Sequence, residues 1–74
     1  MKKVIIIGGA GYVGTSLIPQ LLEKNFDVTV YDRLFWNSDV LIPFLLNKNF
    51  HFIKGDVRNK LALKEAVKDK DIIV

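Results

Sequence analysis

Cysteine is absent from this 74-residue chain, and histidine occurs once, as His51. No disulfide can staple the fold, and a zinc centre built from cysteine and histidine lacks its ligands. An absence of cysteine fits a reducing compartment, so a cytoplasmic protein without a metal site is expected. Missing too is any run of about 20 apolar residues, the length that a membrane-spanning helix requires. The opening Met-Lys-Lys and the apolar residues behind it have the look of a secretory signal. Glycines break that run after Ile7, however, and no small-residue cleavage pattern follows Leu17. Charge of one sign is not massed anywhere. Lysine and arginine number 11 against 8 acids, a formal +3 spread along the chain, which predicts no nucleic-acid partner.

Half of the residues are hydrophobic, enough for a core. At this length a fold buries only about 60% of its unfolded surface and is marginal on its own. Residues 3–7, Lys-Val-Ile-Ile-Ile, are continuous and β-branched, as in a strand buried on both faces. From Tyr12 to Lys24 the period changes: Val13, Leu17 and Leu21, with Ile18 and Leu22 beside them, form one helical face. Pro19 inside that helix removes a hydrogen bond and is expected to bend the axis. Residues 27–31 read as a second strand. Residues 37–47 read as a second helix, with Asp39 as N-cap and Pro43 in its first turn. Residues 50–54 read as a third strand. Asn59 then caps a helix with Leu63, Ala66 and Val67 on one side, Lys68 to Asp71 form a solvated turn, and Ile72 opens a fourth strand.

Strands alternating with helices predict a parallel sheet with right-handed crossovers, an α/β doubly wound architecture in strand order 3-2-1-4. The first two crossover helices then lie on one face and only the third on the other. Parallel strands need cover on both faces. The chain is therefore expected to be the front part of a longer protein. Its half-bare sheet is expected to aggregate or to pair with a second copy as a homodimer.

The glycines between the first strand and the first helix carry the chemistry. Gly9, Gly11 and Gly14 fit G-x-G-x-x-G, while Gly8, Gly11 and Gly14 fit G-x-x-G-x-x-G. Either pattern sets bare backbone at a strand-to-helix turn, where a dinucleotide's pyrophosphate meets unpaired N–H groups and the positive end of the helix dipole. A turn alone can use glycines for geometry. Here a buried strand, a helix and a distant acid agree with the binding reading. The acid, Asp32, stands at the end of the second strand, where a carboxylate accepts from ribose hydroxyls and repels a 2′-phosphate. NAD is thus expected ahead of NADP. Arg33 is the residue that argues the other way, since a guanidinium pairs with phosphate.

With Gly-Gly-Ala-Gly-Tyr-Val-Gly at 8–14, Val-Tyr-Asp-Arg-Leu at 30–34 and Gly-Asp-Val-Arg-Asn at 55–59, the chain resembles the extended short-chain dehydrogenase/reductase family. Within it the likeness is to NAD-dependent nucleotide-sugar epimerases and dehydratases. It covers residues 1–74 as the N-terminal part of an NAD(P)-binding domain of Rossmann type. The resemblance implies that Gly8, Gly11 and Gly14 take the glycine roles and that the backbone of Tyr12 and Val13 lies against the pyrophosphate. It implies Asp32 as the ribose acid, and Asp56 with Val57 as the pair that reads the adenine edge. The residues alone leave Asp56 equally open to an Asx turn and Asp32 to a strand-end turn. Ile7 stands where the family often has threonine.

The family's catalytic pair is a tyrosine with a lysine four residues on. Tyr12 is followed at that distance by Ser16, and Tyr31 by Phe35, so no catalytic residue is expected within these 74. The resemblance implies a nucleotide-sugar substrate and transient hydride transfer in the full-length protein. A non-catalytic NAD(P)-binding or redox-sensing module, and a reductase of small carbonyl compounds, stay open beside it. His51 between Phe50 and Phe52 reads as a strand residue, and Phe35 and Trp36 as loop aromatics.

Overall fold

The computed structural model describes residues 1–8, 12–33 and 43–74, of which 12–15 as backbone only. Strand β1 (Lys3–Ile7) leads into helix α1 (Tyr12–Glu23), followed by β2 (Asp27–Asp32), β3 (Phe50–Lys54), helix α2 (Lys60–Val67) and the short β4 (Ile72–Ile73). All strand pairs are parallel, and the four strands lie in the order β3-β2-β1-β4. The doubly wound α/β sheet expected from the alternation is the one observed.

Each face of the sheet has its own core because side chains alternate along a strand. Register pairs Val4 with Val28 and Ile6 with Val30, and these with Phe50 and Phe52. That face packs against Ile18, Leu17, Leu21 and Leu22 of α1. Phe44, from the described end of the second crossover, joins it with its ring 5.8 Å from that of Phe50. The opposite face carries Ile5 and Tyr31, which pack against Leu63, Ala66 and Val67 of α2. So the first two crossovers share a face and α2 takes the other, as right-handed connections require.

Local signals explain the helix ends. Asn25 adopts φ +66° after α1. Phe26 N–H donates to the Leu21 carbonyl and Asn25 N–H to that of Leu22, both at 3.1 Å, a Schellman closure with asparagine in the left-handed position. Asn59 caps α2, its Oδ1 accepting from Ala62 N–H at 3.1 Å. Pro19 lies within α1, which continues to Glu23. The helix expected over residues 37–47 lies mostly outside the described residues. Its described end is a 3₁₀ turn at Pro43 and Phe44, where Asn47 N–H reaches the Phe44 carbonyl at 3.0 Å.

Residues 68–71 are more than a wet turn. Asp71 accepts from Lys3 N–H at 2.8 Å, and Asp69 pairs with the side chains of Lys3 and Lys70. These contacts pin the start of β1 to the loop before β4. Among the described residues no helix is long and apolar enough to cross a membrane.

Ile18 is fully buried under the α1 face, whereas Leu61 on α2 is exposed. Ile18→Ala should lower unfolding free energy by roughly 2–5 kcal/mol. Leu61→Ala should change it by no more than about 0.5 kcal/mol. Urea titration of the two variants checks the pair.

Candidate functional site

The carboxyl ends of β1, β2 and β3 frame a cleft of about 210 Å³ lined by Gly8, Tyr31, Asp32, Arg33, Gly55, Asp56 and Val57. It lies outside the carboxyl ends of the parallel strands, the side on which open parallel sheets take their ligands. Gly8 ends β1 in the left-handed region at φ +75°, and the space where a Cβ would stand is open. Its N–H donates to the Tyr31 carbonyl at 2.8 Å, so the turn is tied to β2. Gly55 has the opposite reason to be glycine. A Cβ there would fall on the Tyr31 ring, 2.7 Å from Cε2. Tyr31 is fully buried, and its hydroxyl donates to the Asp56 carbonyl at 3.0 Å. Gly55 N–H in turn donates to the Asp32 carbonyl at 2.9 Å.

Two acids and an arginine project from this frame. Asp32 Oδ1 accepts from Arg33 N–H at 2.7 Å, a local closure at the strand end. Asp56 Oδ1 accepts from Arg58 N–H at 2.9 Å, which is the Asx turn, formed where the residues alone left it open. The Arg58 guanidinium grips the same carboxylate through Nε at 3.1 Å and Nη2 at 2.6 Å, and Arg33 Nη1 reaches Oδ2 at 3.3 Å. Hydrogen bonding from the Arg58 side chain and backbone, aided by Arg33, holds the Asp56 carboxyl well below the usual carboxylate range. The pairing raises Arg58 correspondingly. Far from the cleft, the Lys70 ammonium and then Lys3 lower Asp69 to about 2.

The NAD dependent epimerase/dehydratase family matches residues 4–74, nearly the whole chain. The chain belongs to this family. It is 34% identical over 73 residues to a UDP-glucose 4-epimerase of Klebsiella pneumoniae, covering 95% of this chain and 52% of that protein. The UDP-Glc/GlcNAc 4-epimerase of Campylobacter jejuni superposes with a TM-score of 0.85 at 26% identity, over 99% of this chain and 23% of that one. WbmG of Bordetella bronchiseptica, solved with NAD and UDP, gives a TM-score of 0.76 at 27% identity, over 88% of this chain and 20% of its own. The chain thus spans from about half to a fifth of the length of these relatives.

Of the positions singled out in this family member's sequence, the cleft gathers Gly8, Asp32, Arg33, Asp56 and Val57. Tyr12, Val13 and Gly14 form the first turn of α1, and Gly11 lies outside the described residues, as do Phe35 and Trp36. His51 sits on the α2 face of β3, its Nε2 2.9 Å from Asp27 Oδ1. Three contributors were not foreseen: Tyr31, Gly55 and Arg58. Their signals were present as a tyrosine next to the terminal acid of a β-branched strand and as the glycine and arginine flanking Asp-Val.

A cleft of about 210 Å³ is below the roughly 300–1,000 Å³ of complete small-molecule pockets, so it suits one end of a dinucleotide. The residues fit that end: open backbone at Gly8 and a ring of polar groups at Asp32, Arg33 and Asp56.

Gly55→Ala should cost about 1–3 kcal/mol by forcing the Tyr31 ring aside. A urea midpoint matching the parent would refute that packing. Carboxyl-carbon NMR titration should place Asp69 near pH 2 and Asp56 also below its ordinary 3.8. Both folded values are depressed, so their contribution to stability is complete above about pH 4 and lost as pH falls through them. Arg58→Ala should return Asp56 toward 3.8; an unmoved midpoint would show that the pair does not form in solution.

Proposed function

We propose that this chain is the NAD-binding front part of a nucleotide-sugar epimerase or dehydratase whose catalytic residues lie outside these 74. The observation that carries the reading is the convergence of Gly8, Asp32, Arg33, Asp56 and Val57 on one cleft at the strand ends. In this assignment Gly8, Gly11 and Gly14 clear the backbone for the pyrophosphate. The first turn of α1, at Tyr12 and Val13, offers its unpaired N–H groups to the same anion. Asp32 accepts from the adenosine ribose and repels a 2′-phosphate, which favours NAD over NADP. Val57 lies against the adenine. Asp56 Oδ1, which carries fewer donors than Oδ2, receives the exocyclic amine.

When bound, the nicotinamide supplies a transient hydride acceptor, and the protein's task is to place it. The residues of this chain do the placing. Neither of its tyrosines has a lysine four positions on, so proton transfer falls to other parts of the protein. Support for a sugar-nucleotide substrate comes from the Klebsiella epimerase and from WbmG with its bound UDP. A cytoplasmic setting accords with the absence of cysteine.

Isothermal titration of NAD and NADP, with Asp32→Ala as the partner variant, tests the reading. NAD should bind more tightly than NADP, and Asp32→Ala should weaken NAD by roughly tenfold or more, the loss of a charge-assisted hydrogen bond. Absence of NAD binding would overturn the assignment. Equal affinity for both cofactors would overturn the role given to Asp32.

A further inference from the structure

Arg33 is the group in the cleft best suited to grasp a 2′-phosphate, yet its guanidinium is engaged elsewhere. Nη1 donates to Asp56 Oδ2 at 3.3 Å, bridging the end of β2 and the turn after β3. Its own backbone N–H is closed onto Asp32. The Asp56 carboxylate is well placed to hold it. It is fixed by its Asx turn, gripped by Arg58 through both oxygens including the Oδ2 that Arg33 reaches, and is the less exposed partner of the Arg33 pair. A phosphate dianion arriving beside Arg33 would compete with a carboxylate already in place.

We propose that Asp56 is a cofactor-selectivity residue: by keeping Arg33 in its own ion pair it denies a 2′-phosphate its counter-ion. Preference for NAD then rests on Asp56 as well as on Asp32. The inference depends on the dinucleotide reading of the cleft. Its magnitude is bounded by the exposure of the pair. Solvent-exposed ion pairs are weak, so the effect on selectivity is about two- to fivefold rather than a thousandfold.

The test uses the ratio of NADP to NAD dissociation constants. Both cofactors carry the same adenine, so whatever Asp56 gives to adenine binding cancels from that ratio. Asp56→Asn keeps an acceptor for Arg58 N–H and with it the turn. It should narrow the ratio about two- to fivefold. Arg33→Ala in the Asp56 background should change NADP affinity less than about twofold, because Arg33 is already withheld. Adding Asp56→Asn to Arg33→Ala should leave the ratio where Arg33→Ala put it. An unchanged ratio in Asp56→Asn, the same narrowing without Arg33, or a large NADP loss in Arg33→Ala alone would each overturn the proposal. Failure of the parent to bind NAD would instead remove the underlying reading.

Discussion

The three strand ends that frame the cleft are joined through Tyr31. Its carbonyl accepts from Gly8 N–H, its ring occupies the space a Cβ at Gly55 would need, and its hydroxyl donates to the Asp56 carbonyl. Its side chain is fully buried on the α2 face, so its ring has little freedom to move. A buried tyrosine needs a partner for its hydroxyl. Here the partner is the backbone of the residue whose side chain faces the cleft. One buried side chain therefore fixes the turn after β1 and the turn after β3 relative to β2, and the polar groups of the cleft inherit that spacing.

On this frame sits a cluster of charges whose members constrain one another. Singly, exposed ion pairs contribute little to stability. The Asp56–Arg58 contact differs because the guanidinium meets the carboxylate through two nitrogens while the Arg58 backbone meets it as well. Its effect is on orientation. The carboxylate is turned toward Arg33, so the cleft presents a closed set of paired charges, with a donor row spent internally. A ligand that brings hydroxyls and an uncharged amine can add to such a set without breaking it, whereas one that brings a further phosphate cannot.

Much of this was legible in the residues. β-branched runs gave the strands, and a change from continuous to 3.6-residue spacing gave α1. Asn59 marked the start of α2, because an asparagine side chain satisfies N–H groups that the helix cannot. Gly8, Asp32, Arg33, Asp56 and Val57 were found together because each ends or closely follows a strand, and parallel strands bring their carboxyl ends to one side. Tyr31 and Gly55 escaped for a physical reason. Their importance is a close approach between residues 24 positions apart, and no periodicity records a ring filling the place of an absent Cβ. Arg58 escaped because its role depends on side-chain rotamers. The loop over 68–71 was undervalued in the same manner, since its charges looked solvated until Lys3 was brought beside them.

Burial is uneven across the sheet, and the unevenness follows the site. The middle of β1 and of β2 is closed off on both faces, with Val4, Ile5, Val28, Val30 and Tyr31 fully buried. Toward the edges Ile53 on β3 and Ile72 and Ile73 on β4 are partly open. Hydrophobic stabilisation scales with area removed from water, so the two central strands carry most of it. The turns that follow them, at Gly8 and at Asp32–Arg33, therefore spring from the most firmly held part of the fold. Asp56 springs from an edge strand, but the Tyr31 hydroxyl ties its backbone to the centre. That link lets an acid on a weakly covered strand share the rigidity of the core, which an ion pair reaching across to Arg33 requires.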